Sequence, residues 1–236
     1  PLFVIIFVLA CVFGLTMLVA PLHANIFAQD MFLSGLDGRM VVSYHLNPYV
    51  AHSALLKHDT LQQALAELTS GTHYAAPPFG PVWIDISILI ALIPHMDVAG
   101  TVLCFRIIAL VVYLATVLLL WSLLAALRPW QRISMTLLYA WNPLVLLLGI
   151  AMVHQELLVI LLLLLSFSSV QRNATILSWV FVLLAALMDL SCLLILPLFF
   201  VWFVRKTRFM AWSARILWFL GMLLVTALVL LLAYIP

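Results

Sequence analysis

The longest apolar stretch of the sequence sets the first constraint on the fold. Gly100–Leu127 contains a single charged residue, Arg106. As a helix this stretch would be about 42 Å long, which exceeds the roughly 30 Å hydrocarbon core of a bilayer. Of the 236 residues, 67% are hydrophobic and 8% are charged, and this composition excludes a soluble globular or disordered chain. The apolar runs are continuous and not alternating, which favours transmembrane helices over membrane strands.

Seven apolar runs predict an all-α polytopic membrane protein with about seven transmembrane helices. The runs are Leu2–Pro21, Gly100–Leu127, Ile133–Ile150, Glu156–Ser169, Ala174–Met188, Leu190–Val204 and Trp212–Tyr234. Another run, Pro81–Met96, is short for a span and contains Asp85, so it can either span or lie flat at the interface.

The basic residues decide between these two topologies. Seven of the ten lie in breaks of the second half: Arg128, Arg132, Arg172, Arg205, Lys206, Arg208 and Arg215. They share the cytoplasmic side only if Pro81–Met96 is interfacial. We therefore predict a single transmembrane module over residues 1–236, with the N-terminus cytoplasmic and residues 22–99 as an extracytoplasmic loop. This topology places all eight acids and all seven histidines on the outer face.

The loop begins with a segment that predicts a short amphipathic helix over residues 28–44. Asp30 and Asp37 are two helical turns apart and would share one face, while Pro48 disfavours helix at Asn47. From residue type alone, Asp30 is equally a solvated helix-entry acid, and Asp37-Gly38-Arg39 is equally a turn with a local ion pair.

For two other polar residues, Glu156 and Arg106, the sequence allows two alternative roles each. Glu156 either begins a helix, where a carboxylate offsets the dipole, or belongs to a site with His154. Asp189 is read as a solvated turn residue. Arg106 either snorkels outward or contacts a lipid-borne phosphate. The six loop histidines lack metal-ligand spacing, so no metal site is assigned, although a divalent metal is compatible with the acids. No basic patch indicates nucleic-acid binding.

Several short motifs resemble a known family. After the first run comes D-M-F-L-S-G-L-D-G-R-M-V-V-S-Y-H-L-N-P-Y, followed later by Y-A-A-P-P-F-G-P-V-W and by W-N-P-L-V-L-L-L-G-I-A-M-V-H-Q-E. Together they resemble GT-C superfamily glycosyltransferases, closest to the bacterial mannosyltransferase-like branch that uses polyprenyl-phosphate sugars. The resemblance implies seven spans with juxtamembrane helices in the first extracytoplasmic loop.

The resemblance also implies roles for particular residues. Asp30 matches the first-loop acid that acts as general base. The residues that match substrate-binding positions are Asp37, Arg39, Asn47, Tyr49, Tyr74, Arg106, His154 and Glu156. Two features depart from the family pattern: H-Q-E replaces H-N-D, and Asp189 stands where a phosphate-binding basic residue is expected. The family usually continues past the seventh span, so the chain is expected to be a fragment or a minimal module.

The implied activity is transfer of a mannose-like hexose from a polyprenyl-phosphate donor to an extracytoplasmic lipid or glycan acceptor. The implied location is a bacterial plasma membrane, with membrane lipids as further partners. The alternative is a non-catalytic protein of the same fold that binds or transports lipid-linked sugars. Ionisable groups near the bilayer midplane would favour transport, whereas these charges are predicted at the outer membrane edge.

Overall fold

The computed structural model describes residues 2–20, 29–51, 56, 58–68, 79–94, 96–206 and 212–234, and these residues form helices without strands. The predicted all-α class is therefore confirmed. The α-helices in this part of the chain are α1 (Leu2–Leu18), α2 (Gln29–Val42), α3 (Thr60–Leu68), α4 (Pro81–Ala91), α5 (Val98–Leu123), α6 (Pro129–Ala140), α7 (Glu156–Gln171), α8 (Thr175–Met188), α9 (Leu196–Lys206) and α10 (Trp212–Ala233). A π-helix (Val145–Ala151) and two short 3₁₀ segments (Leu124–Ala126 and Leu190–Ile195) lie between them.

Each of the seven predicted apolar runs is helical in its described residues, but seven membrane spans remain a prediction. Val98–Ala126 and Trp212–Ala233 are each long and apolar enough to cross a bilayer. A third span results if α6 and the π-helix, which meet at a 49° bend, are counted together. Helices α1, α7 and α8 have 17, 16 and 14 residues. Their lengths of about 21–26 Å would require a locally thinner bilayer or flanking residues to complete a span.

The bend between α6 and the π-helix has a local cause. Pro143 disfavours the helical conformation at Asn142, and the Asn142 side-chain oxygen accepts a hydrogen bond from the Leu144 amide at 2.9 Å. This pairing satisfies the backbone where the helix is interrupted. The W-N-P motif is therefore a helix break within one apolar run.

The core of the bundle forms where α1, α5, α7, α8 and the π-helix pack together. Tyr113 on α5 is fully buried, and its hydroxyl donates to the Ala140 carbonyl at 2.6 Å. The hydroxyls of Ser166 on α7 and Ser178 on α8 share a buried hydrogen bond of 2.9 Å. These polar contacts satisfy groups that would be costly to leave unpaired in an apolar interior.

Helix α2 is buried on most of its surface, so the predicted amphipathic surface helix is wrong in character although its position is confirmed. It packs mainly against α4, and also against α3 and α5. A Cβ atom at Gly38 would lie 2.2 Å from the Ser87 carbonyl oxygen of α4. Glycine therefore permits backbone contact that any other residue would prevent. The two helices are also joined by the Trp83 indole, which donates to the Ser34 hydroxyl at 2.7 Å.

The interfacial segment predicted at Pro81–Met96 is helical only as far as Ala91, with Pro81 in its first turn as expected. A Cβ at Gly80, just before it, would lie 2.2 Å from the Leu187 carbonyl oxygen near the end of α8. One end of the bundle is therefore formed by the ends of α1, the π-helix and α8 together with the starts of α5 and α7. Helices α2 and α4 cover this end. This arrangement agrees with the predicted gathering of polar residues at one end, whereas the membrane side that it faces remains a prediction.

Candidate active site

Asp30, His154 and Glu156 meet where α2 covers the bundle. The Nδ1 atom of His154 lies 3.5 Å from Oδ2 of Asp30 and 3.5 Å from Oε2 of Glu156. Asp30 is in the first turn of α2, and Glu156 is the first residue of α7. The Asp30 and Glu156 side chains are 43% and 59% exposed, while that of His154 is 21% exposed. The imidazole thus forms the inner part of a cluster whose carboxylates are open to a ligand.

The backbone that carries His154 has an unusual conformation. The π-helix ends at Ala151, and Val153 then has a φ of 59°, in the left-handed region that disfavours a β-branched residue. Such a conformation costs about 1–3 kcal/mol and persists only where its surroundings hold it. Val153 is only 2% exposed, and the His154 amide donates to the Leu148 carbonyl at 3.1 Å. The packing of Val153 and this hydrogen bond hold the turn that aims His154 at Asp30.

The electrostatics of Asp30 combine opposing effects. Burial has the largest effect and raises the pKa of this carboxyl, the nearby His154 lowers it, and the Glu156 carboxylate raises it. The net result is a pKa above the ordinary value of 3.8. A carboxylate with a raised pKa holds a transferred proton more readily, which suits a general base.

Arg106 binds backbone carbonyls inside the protein, so the first of its two predicted alternatives, snorkelling outward, is wrong. The residue is only 3% exposed. Its Nη1 donates to the carbonyls of Leu18 at 2.9 Å and Ala20 at 2.8 Å, and its Nε donates to the Ala151 carbonyl at 2.9 Å. The guanidinium therefore joins the end of α1 to the end of the π-helix.

A second polar region contains Asp37, two turns along α2 from Asp30, and Tyr49, in the turn beyond the end of α2. Burial raises the pKa of Asp37 to about 7. Burial also raises the pKa of Tyr49, and neighbouring Tyr234, Asp37 and Asp85 raise it further. The Tyr49 hydroxyl donates to the Phe79 carbonyl at 3.1 Å, and its ring lies 5.3 Å from that of Tyr234. The structure therefore places the predicted residues Asp37 and Tyr49 near one another.

Asn47 has a structural contact, and the helix that Pro48 was predicted to end already stops at Val42. The Asn47 side-chain oxygen accepts from the Tyr49 amide at 2.8 Å, a turn that begins at Asn47 and orients the following tyrosine. Tyr74 lies outside the described residues. So do four of the six loop histidines, His23, His52, His73 and His95.

Arg39 is not part of a local ion pair with Asp37, because Asp37-Gly38-Arg39 is helical. Its Nη1 donates to Asp59 at 3.0 Å and to Thr60 at 3.1 Å, and its Nη2 donates to the Met96 carbonyl at 3.0 Å. Asp59 is buried and also accepts from the Leu61 amide at 2.8 Å, which caps α3. Arg39 therefore fastens α3 and the start of α5 to α2, beside a cavity of about 290 Å³ with a mixed polar and apolar lining.

Asp189 also has a defined backbone role. Its carboxylate accepts from the Ser191 amide at 2.9 Å and caps the 3₁₀ segment Leu190–Ile195. Among the described residues, no group of three or more His, Cys, Asp or Glu side chains is arranged to hold a metal ion.

Sequence reasoning missed three features of the site: the strained Val153, the anchoring role of Arg106 and the Arg39–Asp59 pair. The close contact between α2 and α4 did have a sequence signal in Gly38, because a glycine inside a helical segment often marks close backbone approach. The left-handed turn at Val153 had no sequence signal, since valine is among the residues least suited to it.

The fold and site together define an all-helical membrane protein with an acid–imidazole cluster at one end of its helices. The family is more specific: residues 8–206 match the MptA_B family, described as alpha-(1->6)-mannopyranosyltransferase, N-terminal domain. The chain belongs to this family, and Asp30, Arg106, His154 and Glu156 all lie within the match. No curated protein and no solved structure matches the chain.

The family membership confirms the mannosyltransferase resemblance inferred from the motifs. It supports a glycosyltransferase that handles a mannose-like sugar, with a sugar donor and an acceptor as substrates.

Proposed function

We propose that the protein transfers a mannose-like hexose from a polyprenyl-phosphate carrier to a hydroxyl of an extracytoplasmic lipid or glycan acceptor, with Asp30 as general base. The observation that carries this proposal is the contact of Asp30 with His154, which joins a loop helix to the bundle in a mannosyltransferase-family chain. We also propose that the chain is a GT-C-type module of about seven spans in a bacterial plasma membrane, with its N-terminus cytoplasmic.

The proposed chemistry is a single displacement. The acceptor hydroxyl attacks the anomeric carbon of the donor sugar while its proton passes to the Asp30 carboxylate. The bond from the anomeric carbon to the phosphate oxygen breaks, and the lipid phosphate leaves with the electron pair. One base is sufficient, no covalent intermediate forms, and the anomeric configuration is inverted.

The other residues of the cluster have supporting roles in this proposal. His154 and Glu156 lie beside Asp30, where the imidazole lies between the two carboxylates and the exposed Glu156 carboxylate can accept from a sugar hydroxyl. Asp37 lies further along α2 and Tyr49 lies in the turn beyond its end, where a carboxyl and an aromatic ring suit contacts with the sugar or acceptor. We assign Arg39 and Asn47 to shaping this surface through their contacts with Asp59 and with the Tyr49 amide. Tyr74 remains a proposed substrate contact.

The decisive test is Asp30→Asn in proteoliposomes that contain a polyprenyl-phosphate mannose and a mannoside acceptor. We expect kcat to fall by about 10²–10⁴, the usual contribution of a general base. Asp97→Asn is the matched control, because exposed Asp97 caps α5 by accepting from the Gly100 amide, and asparagine supplies an equally good cap. Unchanged transfer in Asp30→Asn with active wild type would refute the base assignment.

A separate experiment tests the orientation. Reporter fusions at Arg128 should report the cytoplasm, and fusions at His154 should report the opposite side. An extracytoplasmic Arg128 would overturn the proposed placement of the site.

A further inference from the structure

Arg106 connects the two chain segments that lead to the candidate active site. Nη1 binds the carbonyls of Leu18 and Ala20 at the end of α1, and Nε binds the carbonyl of Ala151 at the end of the π-helix. The first segment precedes Asp30 in the chain, and the second is followed within three residues by His154.

We propose that Arg106 is a positioning residue, which holds these two segments together and so fixes the backbone that presents His154 to Asp30. Only the expected effect on catalysis rests on the proposed function. The structural connection that it describes is independent of the reaction.

The donor geometry of arginine suits this task. Carbonyls at a helix end lack intrahelical partners, and three of them converge on one guanidinium here. Lysine would keep the charge but not the planar fork that reaches carbonyls on two sides. One terminal nitrogen of Arg106, Nη2, is buried without a hydrogen-bond partner among the described residues. Most of the side chain's hydrogen bonds are therefore committed to the backbone, and only this nitrogen is left for a ligand.

The strained turn at Val153 explains why such an anchor is needed. The left-handed backbone at Val153 lies two residues beyond the Ala151 carbonyl that Arg106 binds. Without the anchor, only the packing of Val153 and the hydrogen bond from the His154 amide to Leu148 oppose relaxation of this stretch, which would turn His154 away from Asp30. Arg106 thus acts on the site through the backbone and not by touching substrate.

The experiment compares Arg106→Lys and Arg106→Met with wild type and with Arg132→Lys. Arg132 is a matched control, because its Nε also donates to a backbone carbonyl, that of Trp121, at 2.9 Å. Steady-state transfer from polyprenyl-phosphate mannose is measured in proteoliposomes as a function of pH. We expect kcat to fall by about 100-fold in both Arg106 variants, the effect of a displacement of about 1 Å. The donor KM should change less than about twofold, and the acid limb that reports Asp30 should shift.

A second measurement needs no activity. Amide hydrogen exchange of the proteins in nanodiscs should be faster for residues 14–20 and 145–156 in both Arg106 variants. It should be unchanged for residues 212–234 in these variants, and unchanged for residues 14–20 and 145–156 in Arg132→Lys. If wild type fails to transfer mannose, the proposed function fails, and this exchange pattern still tests the positioning role.

Two outcomes would overturn the inference. One is unaltered exchange in residues 145–156 of both Arg106 variants. The other is a raised donor KM with unchanged kcat that Arg106→Lys largely restores, because this pattern identifies a charge that binds the donor phosphate directly.

Discussion

Asp37→Asn is expected to stabilise the protein above neutral pH. Burial raises the pKa of the Asp37 carboxyl from its ordinary value of 3.8 to about 7. The folded state therefore binds this proton more tightly than the unfolded state does. The resulting stability is fully present below about pH 4 and is lost as the pH rises to about 7. A shift of about 3 pKa units corresponds to about 4 kcal/mol of stability lost above pH 7.

Asparagine has nearly the same shape as aspartate and does not ionise, so the variant should not lose this stability as the pH rises. At pH 8 the melting temperature should rise by about 10 °C in a chain of this size. The assay is thermal unfolding in detergent micelles from pH 4 to pH 9. Wild type should become less stable between pH 4 and pH 7, and Asp37→Asn should lack that part of the decline.

The control is again Asp97→Asn, whose exposed side chain caps α5. Its unfolding curve should follow that of wild type across the pH range. Parallel curves for Asp37→Asn and wild type, or a variant that is less stable at pH 8, would refute the raised pKa of the Asp37 carboxyl.

Three further predictions concern the helix that carries Asp30. Gly38→Ala should destabilise the protein by about 1–3 kcal/mol, because the new methyl meets the Ser87 backbone. Gly221→Ala, inside α10 with nothing within 4 Å of the new methyl, should be neutral or stabilise the protein by up to about 1 kcal/mol. Thermal unfolding compares the two variants. Arg39→Ala should cost about 3–5 kcal/mol, since it leaves a buried carboxylate unpaired, and a substrate-binding role alone would leave the melting temperature unchanged. Transfer activity should decline on acidification at a pH above that of an ordinary carboxyl, since the pKa of Asp30 is raised and a base must be deprotonated; an acid limb at or below pH 4 would contradict this.

The sequence anticipated the α2 segment and the two polar positions that meet in the site. Asp30 and His154 were predicted as site residues from the motifs that resemble the glycosyltransferase family, and the apolar runs on either side of His154 indicated the helices there. The character of α2 was misjudged, because its polar residues suggested a wet surface. Gly38 instead allows α4 to cover it, and that contact depends on a partner far away in the chain.

Arg106 illustrates the same limit. Its position in an apolar run showed that it needed a polar partner, but residue type alone could not distinguish phosphate, water and backbone. The structure supplies three carbonyls from two other segments. Which carbonyls a buried guanidinium reaches is a property of packing, and no spacing in the sequence encodes it.

The sequence by itself determined the class of protein and the end of the molecule where its chemistry gathers. Scarce charges are costly in hydrocarbon, so their placement along the chain is dictated by the bilayer. Only the tertiary structure decided how the site is built: which helices cover it, how Val153 turns His154 toward Asp30, and what Arg106 holds. These depend on contacts between segments that are distant in the chain, and such contacts form only when the helices pack.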